Sequence, residues 1–381
     1  MSEVMIVGGG IGGLCAAIAL QRHGVDAHVY EGAAALHAAG TGILVPPNAL
    51  SVLASLGLAD RVVADGVQLR TTEQWTDDGR LLQRLDGDAV RARWGYPIVC
   101  MRRSALQAIL ADAARPGTVH LKHRLEHVAL DVDVVVAHFE HGATVQGQLL
   151  IGADGIHSVA RRFVVPDASL RYSGQSCWRG LAPIALDPSD ADGVREIWGG
   201  RERFGFARTG PQEVYWFAPV TAPAGTTITP SAAKVELIGR YRRFPSPVAA
   251  ILDATPAEAI LQTDLYDLAP LAHWSSGRVV LLGDAAHAMT PNLGQGGAQA
   301  MEDALSLAVH VQAHGASPAA LRAYEGARRA KALRLVALSK RVGQMAHWEN
   351  RVARSLRDLA LRAMPLAVQT WQMDSIFTPQ L

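Results

Sequence analysis

Apolar and polar positions alternate between two textures along the chain. Residues 4–7 form a short β-type run that passes directly into Gly8-Gly9-Gly10-Ile11-Gly12-Gly13, and LCAAIALQRHG then reads as an apolar helix closed by Gly24. A second strand is expected over 27–30, ending in Glu31, and a helix beginning near Pro47 and Asn48 after a loop with Gly40 and Gly42. Residues 61–97 read as short strands and turns, and RRSALQAILADAARPG as a helix with Arg102 and Arg103 at its start. Strands are expected over 119–121, 130–138 and 144–151, the last running into Gly152-Ala153-Asp154-Gly155. From 171 to 269, short runs rich in Trp, Tyr, Phe, Thr and Val predict an antiparallel sheet with one helix over 231–243. Residues 279–282 are again a short apolar strand, followed by Gly283-Asp284, a loop through Pro291, and Gly294-Gln295-Gly296-Gly297 opening a helix with Ala298, Met301, Ala304 and Leu305 on one face. The remainder, 305–381, reads as helices.

Two features of this pattern imply chemistry. Gly8, Gly10 and Gly13 fit G-x-G-x-x-G between a strand and a helix, where small residues tighten the turn and let backbone approach a pyrophosphate. Glu31 stands near the distance of about 20 residues at which a carboxylate holds a ribose hydroxyl. Asp154 and Asp284 both follow apolar strands, and open α/β sheets bind ligands at such strand ends. The late glycine cluster offers a helix N-terminus, with unpaired N–H groups, to an anionic or electron-rich group. Two such cradles suit a two-part cofactor held at both ends, a flavin dinucleotide, better than a freely exchanging nicotinamide.

Composition narrows the partners. The chain has 381 residues, 49% hydrophobic and 19% charged, with a formal net charge of +1, so no basic field argues for nucleic acid. Cys15, Cys100 and Cys177 are far apart and lack redox or metal spacing, so no metal is expected and each reads as a small buried hydrophobe. No apolar segment reaches the 18 or so residues of a membrane span, and no signal peptide is recognisable; a cytoplasmic protein acting on a small molecule is expected. His157 and His287 are expected as packed or hydrogen-bonded residues. A cation at a helix start opposes the dipole, so Arg102 or Arg103 should have an anionic partner. Trp198, Arg203, Tyr215 and Trp216 are candidates for lining an aromatic-substrate pocket, or else the packed face of a sheet. The final helical segment is expected to pack across the other domain or onto a second subunit rather than lie on a membrane.

Three motifs in order, GGGIGG with Glu31, Asp154-Gly155-Ile156-His157-Ser158 through Arg161, and Gly283-Asp284 through Pro291, resemble those of the single-component flavoprotein aromatic hydroxylases of the p-hydroxybenzoate hydroxylase superfamily. YSGQSCWRGL, EIWGGRERFG, NLGQGGAQAMEDA and HWEN are similar to the subgroup with zeaxanthin epoxidase, urate hydroxylase and the salicylate and hydroxybenzoate hydroxylases. The resemblance implies an α/β fold: a Rossmann-like FAD-binding domain (1–70, 98–170 and 270–340) interleaved with an antiparallel-sheet substrate domain (71–97 and 171–269), then C-terminal helices (341–381). It implies non-covalent FAD, reduction by NADH or NADPH, and a C4a-hydroperoxyflavin that hydroxylates a small aromatic or heteroaromatic substrate with O2. An epoxidase, an antibiotic- or polyketide-modifying oxygenase, and a non-oxygenating flavin reductase are the alternatives, as monomer or homodimer. By the same resemblance Arg103, the backbone at Leu125, Asp284 and Gly294, Gln295, Gly296 and Gly297 contact FAD, and Asp154 serves FAD and nicotinamide. Arg203 and Tyr215 align with substrate-binding residues of urate hydroxylases, while Asn292, beside Pro291, replaces their Asp and weakens a urate assignment. Where relatives often carry Arg soon after the ribose acid, this chain has Gly32-Ala33-Ala34-Ala35.

Overall fold

The computed structural model describes residues 2–36 and 41–381, so Gly40 lies outside the described residues. The strand Ser2–Val7 is central to a sheet in which Val119–His120, Ala27–Tyr30, Ser2–Val7, Thr144–Gly152 and Val279–Leu281 run parallel, in that spatial order. These strands are near-continuous apolar runs because both faces are covered: Val4, Met5, Ile6, Leu149, Leu150, Ile151, Val279 and Val280 are all fully buried. The helices Ile11–Arg22 and Gly296–His314 pack against one another and bring their N-termini to the same end of the sheet. Gly8 and Gly13 make that turn possible. Gly8 has φ +108°, and a Cβ on Gly13 would sit 1.9 Å from the Gly8 carbonyl oxygen.

A second, seven-stranded sheet has the order Leu261–Leu268, Leu170–Ala182, Glu213–Thr221, Arg203–Gly210, Gly193–Trp198, Thr71–Thr76, Leu81–Asp86. All neighbours are antiparallel except Gly193–Trp198 with Thr71–Thr76. A three-stranded antiparallel sheet, Gly42–Val45, Ile98–Arg102, Val67–Leu69, lies beside it.

Four local expectations are corrected. Residues 130–138 are parts of two strands, Leu125–Asp131 and Val134–Phe139, because the chain reverses at Val132, which is 93% exposed. The stretch 61–97 includes the helices Ala59–Asp65 and Gly87–Trp94, the latter capped by Asp86 accepting from the Ala89 N–H at 2.9 Å. The second sheet carries two helices, Pro230–Tyr241 and Val248–Ala254, since the short apolar VAAILDA segment buries Val248, Ile251 and Leu252 against the sheet. The last segment is two helices, Arg351–Arg362 and Leu366–Phe377, broken at Pro365. They fasten to the second sheet and its helices: Arg354 pairs with Asp77 at 2.8 Å, Arg93 with Asp374 at 2.6 Å, and Trp94 meets Phe377 edge-on at 5.2 Å.

Candidate active site

Strand alternation divides the second sheet into two faces. Phe204, Phe206, Val214 and Trp216 point into a core with Leu237, Tyr241 and Ile251. Arg203, Tyr215 and Phe217, one residue out of step, line a cavity of about 1660 Å3 between this sheet and the glycine-led helices. Trp216 therefore does not reach the cavity: it stacks on Phe204 at 5.6 Å and donates to Thr255 Oγ1 at 2.9 Å. Trp198 does reach it, with the Arg357 guanidinium 5.2 Å from its ring centre.

The same cavity is lined by Gly10, Arg103, Asp284, Pro291, Asn292, Gly294, Gln295, Gly296 and Gly297. Neither glycine-led helix has a side-chain cap, so both present free N–H groups. Gln295 is 1% exposed with its Nε2 unpartnered, and Asp284 is exposed at the cavity wall. Arg103 has no carboxylate partner among the described residues, whereas Arg102 pairs with Glu213 and so has the expected anion. Two uncapped helix starts, an orphan amide donor and a guanidinium without a carboxylate partner among the described residues surround one volume, and they are groups that could hold the phosphates and ring of a dinucleotide. The volume exceeds the 300–1,000 Å3 usual for one small ligand.

Other expected site residues stand behind this wall. The Glu31 carboxylate accepts from the Gly9 N–H at 2.6 Å and the Ala33 N–H at 2.7 Å, fixing the glycine turn. Asp154 accepts from Ser158 Oγ at 2.5 Å and from the Val159 and Ala160 N–H groups at 2.7 and 3.0 Å, so it ties down the turn that leads into the helix Ala160–Val164, while Ala153, Gly155 and Ile156 face the cavity. Gly8 and Gly13 shape the turn without lining the cavity, and Leu125 is buried at the start of its strand. His287 is buried and hydrogen-bonded to Asp303 at 2.6 Å, and His157 is exposed. Cys15, Cys100 and Cys177 are buried, and burial pushes the first two thiols up to about 12.

All three nitrogens of Arg203 are engaged. Its Nε donates to His347 Nε2 at 3.0 Å, Nη1 pairs with Glu196 at 2.8 Å, and Nη2 donates to Asn292 Oδ1 at 2.5 Å. Asn292 in turn donates to Thr290 Oγ1 and the Ser339 carbonyl, both at 2.9 Å. His347 accepts from Arg203 through Nε2, so its proton is on Nδ1, facing Thr221 Oγ1 at 3.0 Å; burial, then the Arg203 charge, lowers its pKa to about 3. Burial also raises the Tyr215 phenol, which stays neutral and able to donate.

Sequence reasoning passed over Arg179. It lines the cavity, donates to Thr263 Oγ1 at 2.5 Å, interacts with Tyr215, and has no carboxylate partner among the described residues. The signal was a cation on the strand bearing Trp178-Arg179-Gly180, two positions from Cys177 on the same face.

Comparison with known proteins agrees with this geometry. Residues 1–339 match the family model described as FAD binding domain. The aurachin C monooxygenase/isomerase of Stigmatella aurantiaca is 37% identical over 361 residues, 95% of this chain and 94% of that protein. The 2-heptyl-3-hydroxy-4(1H)-quinolone synthase of Pseudomonas aeruginosa PAO1 is 33% identical over 383 residues, 98% and 97% of the two chains. The crystal structure of Klebsiella pneumoniae HpxO complexed with FAD and uric acid superposes with a TM-score of 0.92 at 28% identity, covering 100% of this chain and 97% of that one. Two uncapped glycine-led helices around one cavity, the match over residues 1–339 and full-length similarity to monooxygenases together place the chain in the FAD-binding-domain family, as an FAD-dependent NAD(P)H monooxygenase of the aromatic hydroxylase class.

Proposed function

We propose that the substrate is a heteroaromatic ring bearing an oxygen, a phenol or ring carbonyl, that accepts hydrogen bonds from Arg179 and Tyr215. The observation carrying this reading is the difference between two arginines of the cavity: Glu196 already balances Arg203, whereas Arg179 faces the cavity without a carboxylate partner among the described residues. A guanidinium beside the ring oxygen stabilises negative charge there, and electron density so gained by the ring makes its carbon a better nucleophile. Bound FAD supplies the redox chemistry, taking a hydride from NAD(P)H and using O2 to deliver one oxygen atom to the ring while the other leaves as water. Arg203 acts as a positioning residue, holding Asn292 and thereby the Pro291 turn where cofactor and substrate regions meet. The apolar walls around Tyr215 and Phe217 exclude water from the reaction. The relatives favour such a head: one is named for a 4(1H)-quinolone product and another was crystallised with uric acid, both nitrogen heterocycles bearing carbonyl oxygens.

The test is Arg179→Met against quinolone and hydroxylated heteroaromatic substrates. Loss of a charge-assisted hydrogen bond should raise KM about 10- to 100-fold, with FAD content unchanged. An unaltered KM for every oxygen-bearing ring that stimulates NAD(P)H oxidation in the native enzyme sinks the assignment.

A further inference from the structure

The cavity continues past Tyr215 and Asn292 into an arm between the helices Pro318–Ala346 and Arg351–Arg362. Its walls there are apolar: Val342 and Met345 on one side, Leu356, Ala360 and Met364 on the other, with the exposed Trp371 at the mouth. Leu356 and Ala360, four residues apart, share one face of the helix Arg351–Arg362, and Met364 follows just beyond its end. That helix reverses the usual arrangement, in which charge faces water and leucine faces protein. Arg357 is 3% exposed, lies over Trp198, and donates to the Met345 carbonyl at 3.1 Å; Arg354 pairs with Asp77 at 2.8 Å. Leu356 is 63% exposed and Trp371 70% exposed, and both border the cavity. The arginines hold the helix down, and among its bare apolar residues, Val352, Leu356 and Leu359, Leu356 is the one that borders the cavity.

Resting on the monooxygenase reading above, we infer that the substrate is amphiphilic, with a hydrocarbon chain attached to the aromatic head and laid along this arm. A hydrocarbon chain suits the arm because Val342, Met345, Leu356, Ala360 and Met364 are apolar, while beside them Arg357 donates to the Met345 and Ala346 carbonyls and Gln83 to the Leu361 carbonyl at 3.3 Å. The arm opens at Trp371, so a chain longer than the arm projects to the surface instead of being rejected.

The experiment uses the FAD-loaded enzyme and a homologous series of 2-alkyl-4-quinolones from methyl to nonyl, measuring both Kd by calorimetry and kcat/KM for NAD(P)H-coupled oxygenation. Each added methylene should tighten Kd and raise kcat/KM about fourfold until the arm is filled, and Ala360→Trp should collapse the heptyl-to-methyl ratio. Turnover with no dependence on chain length overturns the inference and leaves the monooxygenase reading intact. Chain-dependent Kd without oxygenation supports the arm and counts against that reading for these heads. Kd values equal across the series, or an Ala360→Trp enzyme that keeps the full chain-length dependence, overturn the inference. So does a dimer that Leu356→Glu dissociates without altering the chain-length dependence, which would assign the bare face to a second copy of the chain.

Discussion

Replacing Arg328 by Met tests whether a buried charge cluster holds the cofactor turn. Arg328 is fully buried and pairs with Glu302 at 2.6 Å and Asp303 at 2.8 Å, while Lys331 also reaches Glu302 at 2.9 Å. Asp303 is the link to function: its Oδ2 accepts from the Gly283 N–H at 3.0 Å and bonds His287, fixing the turn that carries Asp284. Methionine preserves much of the volume, so the main effect is one uncompensated negative charge in the interior. Breaking a buried pair in this way costs about 3–5 kcal/mol. At roughly 2.1 cal/mol/K per residue the chain's unfolding entropy is about 0.8 kcal/mol/K, so Tm should fall by about 4–6 °C. The pH dependence supplies a second signature. Burial opposes ionisation of Asp303, but His287 and Arg328 outweigh it and hold the carboxyl down at about 2. In the native protein this contribution is present above the ordinary carboxylate range and is lost as pH falls toward 2. Without Arg328, burial gains the upper hand and the folded pKa rises, so the penalty present at pH 7 is relieved by protonation and the gap to wild type narrows below about pH 5. Calorimetric Tm at fixed scan rate, with and without saturating FAD, measures both effects, because bound FAD adds its own stabilisation. A Tm loss under 1 °C that does not change between pH 7 and pH 5 refutes the reasoning.

Other outcomes follow from the same structure. His347 is held neutral with a folded pKa of about 3 against about 6.5 unfolded, so its stabilisation is present above pH 6.5 and is lost as pH falls toward 3. Between pH 7 and pH 5 this should cost about 2 kcal/mol, a slope that His347→Gln should lack in urea titrations at the two pH values. Gly13→Ala places a methyl 1.9 Å from the Gly8 carbonyl oxygen, and circular dichroism should show a fold strongly destabilised even without FAD. In Gly296→Val with Gly297→Val the new Cβ atoms meet only Asp284 Oδ1 at 3.8 Å and Ile43 Cδ1 at 3.4 Å, so the FAD-free Tm should change little while purified protein loses its yellow colour; undiminished FAD affinity would remove the helix start from the cofactor site.

The parallel sheet was legible because buried strands are uninterrupted apolar runs ended by glycine, as at Val4 to Gly10 and Val279 to Gly283, and local pattern alone specifies such elements. The short helices Gly87–Trp94 and Val248–Ala254 were not: at eight and seven residues they lie near the lower limit at which helical and strand periodicity differ, and tertiary packing chooses. Within the cavity, the sequence marked Arg203, Tyr215 and Asn292 as polar or aromatic residues in a suggestive order. It carried no sign that all three Arg203 nitrogens are engaged, because Glu196, Asn292 and His347 come from three separate segments that meet only in the fold.

What the chain by itself determined is therefore the cofactor machinery: a glycine turn, a following helix and a carboxylate are set by neighbours close in sequence, and backbone sterics admits few residues there. Tertiary structure alone decided the substrate side. Trp216 and Tyr215 are adjacent in sequence, yet strand alternation sends one into a core and the other to the cavity, and Arg179 becomes an available cation only because no carboxylate among the described residues pairs with it. Those facts depend on which distant strands and helices come together, and burial, charge balance and hydrogen bonding take their values only after they have done so.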